Sequence, residues 1–360
     1  MRKLNKTAAC GILAAALAAG TLSGCSKAID GTKTVATVGD EKVTLGLASY
    51  MTRDQQAQTM SYYNMLMSQY GVSGSASNVW DQKGDDGKTV GESSKDSVMK
   101  TINQLYVLKA HAADYDVTIT EDEEKAIKEA AAEFIKDNDE KILKKLAVSE
   151  DDIVTYLELV TIRSKMHDPM TADVDTEVSA NEKDQTRVTI VKVSTEGTEK
   201  DDDGNTIDLT DEEKAQKKDL AQQVLDKVKA SDDVANADMD ALAKEVDDSL
   251  SATAPAFTTA GSTDDTLDEA VQDAALELKD GEVADSVIEG DDGYYVVRLD
   301  KMLDEDATEN KEKTVISERK SDLFDSTLED WVKEEKIKVK DKVWDQITVT
   351  DSVSFVYKSA

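Results

Sequence analysis

Between Met170 and Asp184 the periodicity of this sequence fails, and the failure divides the chain into two regions that must bury separate cores. Before it, apolar residues recur at helical spacing. A helix is expected from about Leu45 to Tyr70, and another through Val98, Ile102, Leu105, Leu108 and Ala112. Thr120-Glu121-Asp122-Glu123 reads as a capping box opening a third helix to about Asp137, and a further helical stretch covers Ile142 to Lys165, renewed at Ser149 and ending before Pro169. Two β-rich runs around a turn, Val35 to Thr44, read as a hairpin, and Gly71 to Ser94 as a long loop around Trp80.

After the break the order is strand, helix, helix, strand, helix, strand: Val188 to Val193, Asp211 to Lys229, Met239 to Val246, a run around Phe257, Leu267 to Leu278, and Tyr294 to Leu299. A last helix carries Val315, Leu323, Leu328 and Trp331, and strand-like runs follow at Ile337-Lys338-Val339 and Ile347-Thr348-Val349. Leu328 and Trp331 give that helix more apolar surface than its own segment can cover, so it is expected to pack on the helices near Leu105 and Ile127. The fold class is therefore α+β, a mostly helical discontinuous domain into which a region of alternating strands and helices is inserted.

Inventory removes most chemistries. The 360 residues carry 43 Lys+Arg against 76 Asp+Glu, a formal net charge of -33, which disfavours any nucleic-acid partner. Cys10 and Cys25 are the only cysteines and His111 and His167 the only histidines, too few for a disulfide framework, a four-cysteine zinc site or most nucleophile-plus-base machinery. No cofactor and no metal is expected. Asp201-Asp202-Asp203-Gly204-Asn205 has the look of a calcium loop, but with Gly204 at the sixth position the last ligand falls on Thr210 instead of a bidentate glutamate, so a solvated insertion is the better reading.

The N-terminus reads as an export address. Arg2, Lys3 and Lys6 precede an apolar run from Ala8 to Leu22, too short to span a membrane and right for a secretory signal. It ends in Leu22-Ser23-Gly24-Cys25, which resembles the bacterial lipobox, so Cys25 is expected to be acylated and to hold the protein on the extracytoplasmic face of the cell membrane. Because anionic headgroups repel so acidic a body, the acyl chains must do the anchoring.

The hairpin Val35 to Thr44, the alanine-bearing helix followed by Tyr115-Asp116-Val117-Thr118-Ile119, and Leu276-Glu277-Leu278-Lys279-Asp280-Gly281-Glu282-Val283 with Gly293-Tyr294-Tyr295-Val296-Val297-Arg298-Leu299 together resemble the SurA/PrsA group of extracytoplasmic foldases. The resemblance implies a signal peptide over 1–24, a tether over 25–33, a helical chaperone domain over 34–170 plus 305–350, a linker over 171–186 and a parvulin-like domain over 187–302. It also implies a proline pocket, whose positions fall here on Thr189 (or Ile190), Phe257, Leu267, Val271, Leu276 and Tyr295. Where active members of the family carry two histidines, a methionine and two phenylalanines, this chain has none of them. Ala254 to Gly261 stands in place of the family's glycine-rich segment.

Prolyl isomerisation has a barrier of roughly 18 to 20 kcal/mol, lowered by holding the ring in a dry pocket while the amide twists. Val271 and Leu276 offer no flat aromatic wall for that ring. The resemblance thus implies a membrane-anchored chaperone or foldase whose partners are unfolded, newly exported polypeptides, with a parvulin-like domain that does not catalyse. An active peptidyl-prolyl isomerase of the PrsA type is the alternative, and an acidic solute-binding or structural surface lipoprotein a second. Met51, Met60, Tyr62, Tyr63, Met65, Met67 and Tyr70 crowd one helix with flexible thioethers and amphipathic rings, which suit contact with many client sequences or plain core packing. Tyr62 and Tyr63 are adjacent and cannot share one face. His111 and His167 read as structural.

Overall fold

The computed structural model describes residues 29–69, 79–197, 207–260 and 267–349, and divides the chain into two compact units, 1–173 with 321–360, and 174–320.

The first unit opens with a hairpin, β1 (Thr34–Val38) and β2 (Glu41–Thr44), whose turn uses Gly39 at φ +56, a conformation that costs a residue without Cβ little. Helix α1 (Leu45–Gln69) follows at once. Every residue from Leu45 to Arg53 is buried, and Tyr50 stands edge-on to Phe134 (5.6 Å) and Tyr156 (5.0 Å). Around it pack α2 (Val90–His111), α3 (Glu121–Asp137), α4 (Glu140–Leu146) and α5 (Glu150–Met170), with Ile102, Leu105, Leu108, Ile127, Leu146, Leu159 and Met166 in one core.

Thr89 with Glu92, Thr120 with Glu123 and Ser149 with Asp152 form capping boxes, each satisfying amides that the first helical turn leaves unpaired. Asp152 also accepts from the Thr44 hydroxyl, tying α5 to the hairpin. Three expectations are corrected here. Trp80 is buried in a short 3₁₀ turn, and α2 begins at Val90, inside the stretch read as loop. The helical stretch from Ile142 is cut by Ala147 at φ +54. Helix α5 runs through Pro169 to Met170, because the buried stripe Ile162, Met166 and Met170 outweighs one lost hydrogen bond in a last turn that Thr171 closes onto His167 O at 3.1 Å.

The second unit starts with α6 (Ala180–Lys183), where Glu182 bonds the Ser179 hydroxyl and Arg319 Nη2. Strand β3 (Gln185–Ser194) follows, then α7 (Asp211–Lys229), α8 (Met239–Lys244), β4 (Ala252–Thr253), β5 (Ala256–Thr258), α9 (Glu269–Leu276), β6 (Ile288–Glu289) and β7 (Gly293–Lys301). The sheet order is β4-β3-β7-β6, all antiparallel, with β5 also pairing β3. Its two faces bury separate cores. Helices α7 and α8 cover Val191, Val193, Tyr294 and Val296, and α9 covers Val188, Ile190, Tyr295, Val297 and Leu299.

Helix α10 (Glu305–Glu334) contributes its first half to the second unit and its last half to the first. In the first unit, Phe324 and Leu328 are buried in the core that holds Leu105 and Ile127, and Trp331 packs against it. Strand β8 (Ile337–Val339) then pairs with β1, giving the order β2-β1-β8. A short α11 (Asp341–Trp344) follows. Ile347-Thr348-Val349 is not a strand: β8 already occupies the free edge of β1, and Ile347 and Val349 are buried individually beyond a turn closed by Ile347 N on Trp344 O.

Candidate functional site

The pocket positions implied by the resemblance meet on the α9 face of the second unit, with one exception. Phe257 and Val271 have no exposure, Tyr295 is buried beside them, and Leu267 and Leu276 are half-buried against the same core. Val271 and Leu276 come from α9, which Asp268 caps by accepting the Ala270 amide at 2.9 Å, and Gln272 donates back to Leu267 O at 2.7 Å. The exception is Thr189. Strand residues alternate faces, and Thr189 lies on the α7 side, where its hydroxyl donates to Asp300 Oδ2 at 2.6 Å and accepts from Arg298 Nη2. Ile190 does face α9, but it stands opposite Val297.

The residue opposite Tyr295 across the central strand pair is Lys192. Its Nζ donates to Asp292 Oδ2 at 2.5 Å and lies 5.9 Å from the centre of the Tyr295 ring, while the Tyr295 hydroxyl donates to Asp292 Oδ1. Asp268 Oδ2 accepts the Asp291 amide at 2.6 Å, closing the cluster over Gly290. A Cβ at Gly290 would sit 2.4 Å from that oxygen and 2.8 Å from the Tyr295 ring, so the approach demands glycine.

Electrostatics follow from these bonds. The hydrogen bond from Lys192, then that from Tyr295, holds the Asp292 carboxyl below the ordinary carboxylate range. Burial, reinforced by the bond to Asp292, pushes the Tyr295 hydroxyl well above its usual value, so it stays neutral and spends its proton on Asp292. What the site offers is therefore a hydrogen-bonded ion pair over an aliphatic layer. Among the described residues no group of three or more metal-ligating side chains occurs, and no helix is long and apolar enough to cross a membrane.

Lys192 and Asp292 were not singled out from the sequence. The alternation Val188, Ile190, Lys192 puts lysine on the α9 face, but only the register with β7 brings it to Tyr295.

The Met/Tyr-rich half of α1 belongs to the first unit. Met51 is core, Met60 and Tyr63 are half-buried against Val79, Trp80 and Val349, Met67 is half-buried, and Tyr62 and Met65 are 61% and 62% exposed. Cys25, Tyr70 and the calcium-like run Asp201 to Asn205 lie outside the described residues.

Residues 200–313 match the family model of the PPIC-type peptidyl-prolyl isomerase domain. The matched segment falls within the second unit, 174–320, which therefore carries a parvulin-type domain. Strand β3, with Lys192, precedes the matched segment. Solved structures similar to this chain include the foldase protein PrsA of Lactococcus lactis (14% identity, TM-score 0.35, covering 87% of this chain and 98% of that one). The peptidylprolyl isomerase PrsA of Bacillus cereus is also similar (19%, TM-score 0.31, 74% and 95%). No curated protein matches the chain.

Proposed function

We propose that this protein is a lipid-anchored extracytoplasmic foldase or holdase that binds unfolded exported polypeptides, and that its parvulin-type domain contributes surface and no catalysis. One observation carries the catalytic part: beside Tyr295, where the resemblance places an imidazole, the chain sets Lys192 bonded to Asp292. A solvated ion pair is the opposite of the dry wall a twisting prolyl amide needs, and Phe257 and Val271 are consumed as core. Binding is supported by Tyr62 and Met65, large apolar side chains held in water on a helix. The lipobox-like Leu22 to Cys25 supports the anchor and the extracytoplasmic location. The match over 200–313 favours a second reading, an active peptidyl-prolyl isomerase.

The test uses the mature chain in two assays. In the first, several unrelated denatured proteins should aggregate less in its presence; no suppression, together with one saturable small ligand, would turn the reading into a solute receptor. In the second, cis/trans exchange at proline in a short peptide should not accelerate. Acceleration that Val271→Trp abolishes would establish the second reading.

A further inference from the structure

The chain enters the first unit through a fixed point. Ile29 packs against the core, Asp30 Oδ1 accepts from the Thr32 amide and hydroxyl at 3.2 and 2.7 Å, and the Gly46 amide donates to Gly31 O at 2.9 Å. A Cβ on Gly31 would overlap the Ala147 carbonyl oxygen, and one on Gly46 would lie 2.8 Å from the same atom. The entering chain is therefore wedged against the corner at Ala147, where α4 ends and the backbone turns into α5.

That corner carries a cationic face in a chain of net charge -33. Lys141, Lys144 and Lys145 of α4 fall at i, i+3 and i+4 and so share one side of the helix. Lys141 and Lys144 are exposed and Lys145 is half-buried. Most carboxylates around them are already engaged: Asp139 caps α4 by accepting the Lys141 amide at 2.7 Å, Glu140 pairs with Lys144 at 2.6 Å, Asp30 is held by Thr32, and Asp152 turns inward to Thr44 and Ser149. Glu150 and Asp151, in the first turn of α5, are the exposed acids beyond Ala147.

Cys25 precedes Ile29 by four positions, so Ile29 lies within about 14 Å of the residue that would be acylated. At about 0.15 M salt the Debye length is only about 8 Å, so headgroups feel the charges at this corner and are screened from most of the acidic body.

We propose that the lysine face of α4 rests on the anionic phospholipid headgroups of the leaflet that holds Cys25: the acyl chains anchor the protein, and Lys141, Lys144 and Lys145 orient its first unit. Such an orientation presupposes the lipid anchor proposed for Cys25.

Cys25 is the only cysteine of the mature chain, so a maleimide lipid supplies the anchor whether or not a cell acylates it. On vesicles with about 30% phosphatidylglycerol, a water-soluble succinimidyl ester should modify Lys141, Lys144 and Lys145 about threefold more slowly than on pure phosphatidylcholine vesicles. Lys125 on α3, whose side chain is 75% exposed, should react alike on both. The contrast should vanish in about 0.5 M sodium chloride. Equal rates on the two kinds of vesicle, a slowing that Lys125 shares, or a contrast that survives the salt would overturn the docking. Mass spectrometry of Cys25 in the chain expressed in a bacterial host tests the anchor separately. A free thiol there, with the lysine contrast present on vesicles, would remove the anchor and leave the headgroup affinity of α4.

Discussion

At Lys192 the balance of forces on one side chain decides what the neighbouring strand can do. Its ammonium binds Asp292, Asp292 accepts a hydrogen bond from the neutral Tyr295 hydroxyl, and the result is a closed set of charge-assisted bonds at the edge of a buried aliphatic layer. The consequence for pH has a definite sign. Asp292 ionises more readily in the folded state than in the unfolded one, so its contribution is complete above the unfolded carboxylate range and is lost as pH falls through the lower folded value. Lys192→Met should move the Asp292 titration, followed by carboxyl NMR, upward toward the ordinary value of about 3.9. It should also flatten the acid loss of melting temperature. An Asp292 midpoint that stays where it was would show that Tyr295 alone holds the carboxylate. Lys192 and Asp292 are both more than a third exposed, so the effect is a modest one.

Helix α10 shows the same reasoning one level up. Its first half carries Glu312, which pairs with Lys183 at 3.0 Å in the second unit, while its last half presents Phe324, Leu328 and Trp331 to the first. Trp331 stacks on His111 with ring centres 4.1 Å apart, and Phe324 meets His167 at 5.5 Å, so both histidines of the chain serve as flat packing surfaces for this helix. Leu328 is 2% exposed, and Leu328→Ala should destabilise the first unit by about 2 to 4 kcal/mol in denaturant unfolding followed by tryptophan fluorescence. A loss under about 0.5 kcal/mol would mean that the helix is an accessory to that core.

Periodicity makes α2 legible, because Val98, Ile102, Leu105, Leu108 and Ala112 repeat over several turns, and the capping box of Thr120 with Glu123 marks the start of α3. Ala147 was not legible, since alanine carries no sign that it will adopt φ +54. Thr89 with Glu92 was a readable capping box that the surrounding Gly and Ser residues obscured. At the site, Phe257, Val271, Leu276 and Tyr295 share the α9 side of the sheet with Ile190, while Thr189 lies on the other, and the sequence could not choose between Thr189 and Ile190 because a shift of one residue along a strand exchanges its faces and only the ladder with β7 fixes the parity.

Charge is distributed over the whole molecule unevenly. Residues 174–320 hold 41 of the 76 acidic side chains but only 17 of the 43 basic ones, a net charge of -24 in the parvulin-type unit out of -33 overall. Like charges at that density repel across distances comparable to the Debye length, which shrinks from about 30 Å at 0.01 M salt to about 8 Å at 0.15 M, so screening should favour the compact state of this unit more than that of the other. The chain separates the two signals by itself, because its three tryptophans, Trp80, Trp331 and Trp344, all lie in the first unit. Raising sodium chloride from about 0.01 to 0.5 M should therefore move the thermal transition seen by circular dichroism upward by several degrees. The transition seen by tryptophan fluorescence should move by less. Equal shifts in both would show that the two units melt as one, or that the acidic surface of the second is already neutralised by bound cations; repeating the scan with the chloride salt of a divalent cation at constant ionic strength separates those cases, since only bound cations make the shift depend on the ion's identity.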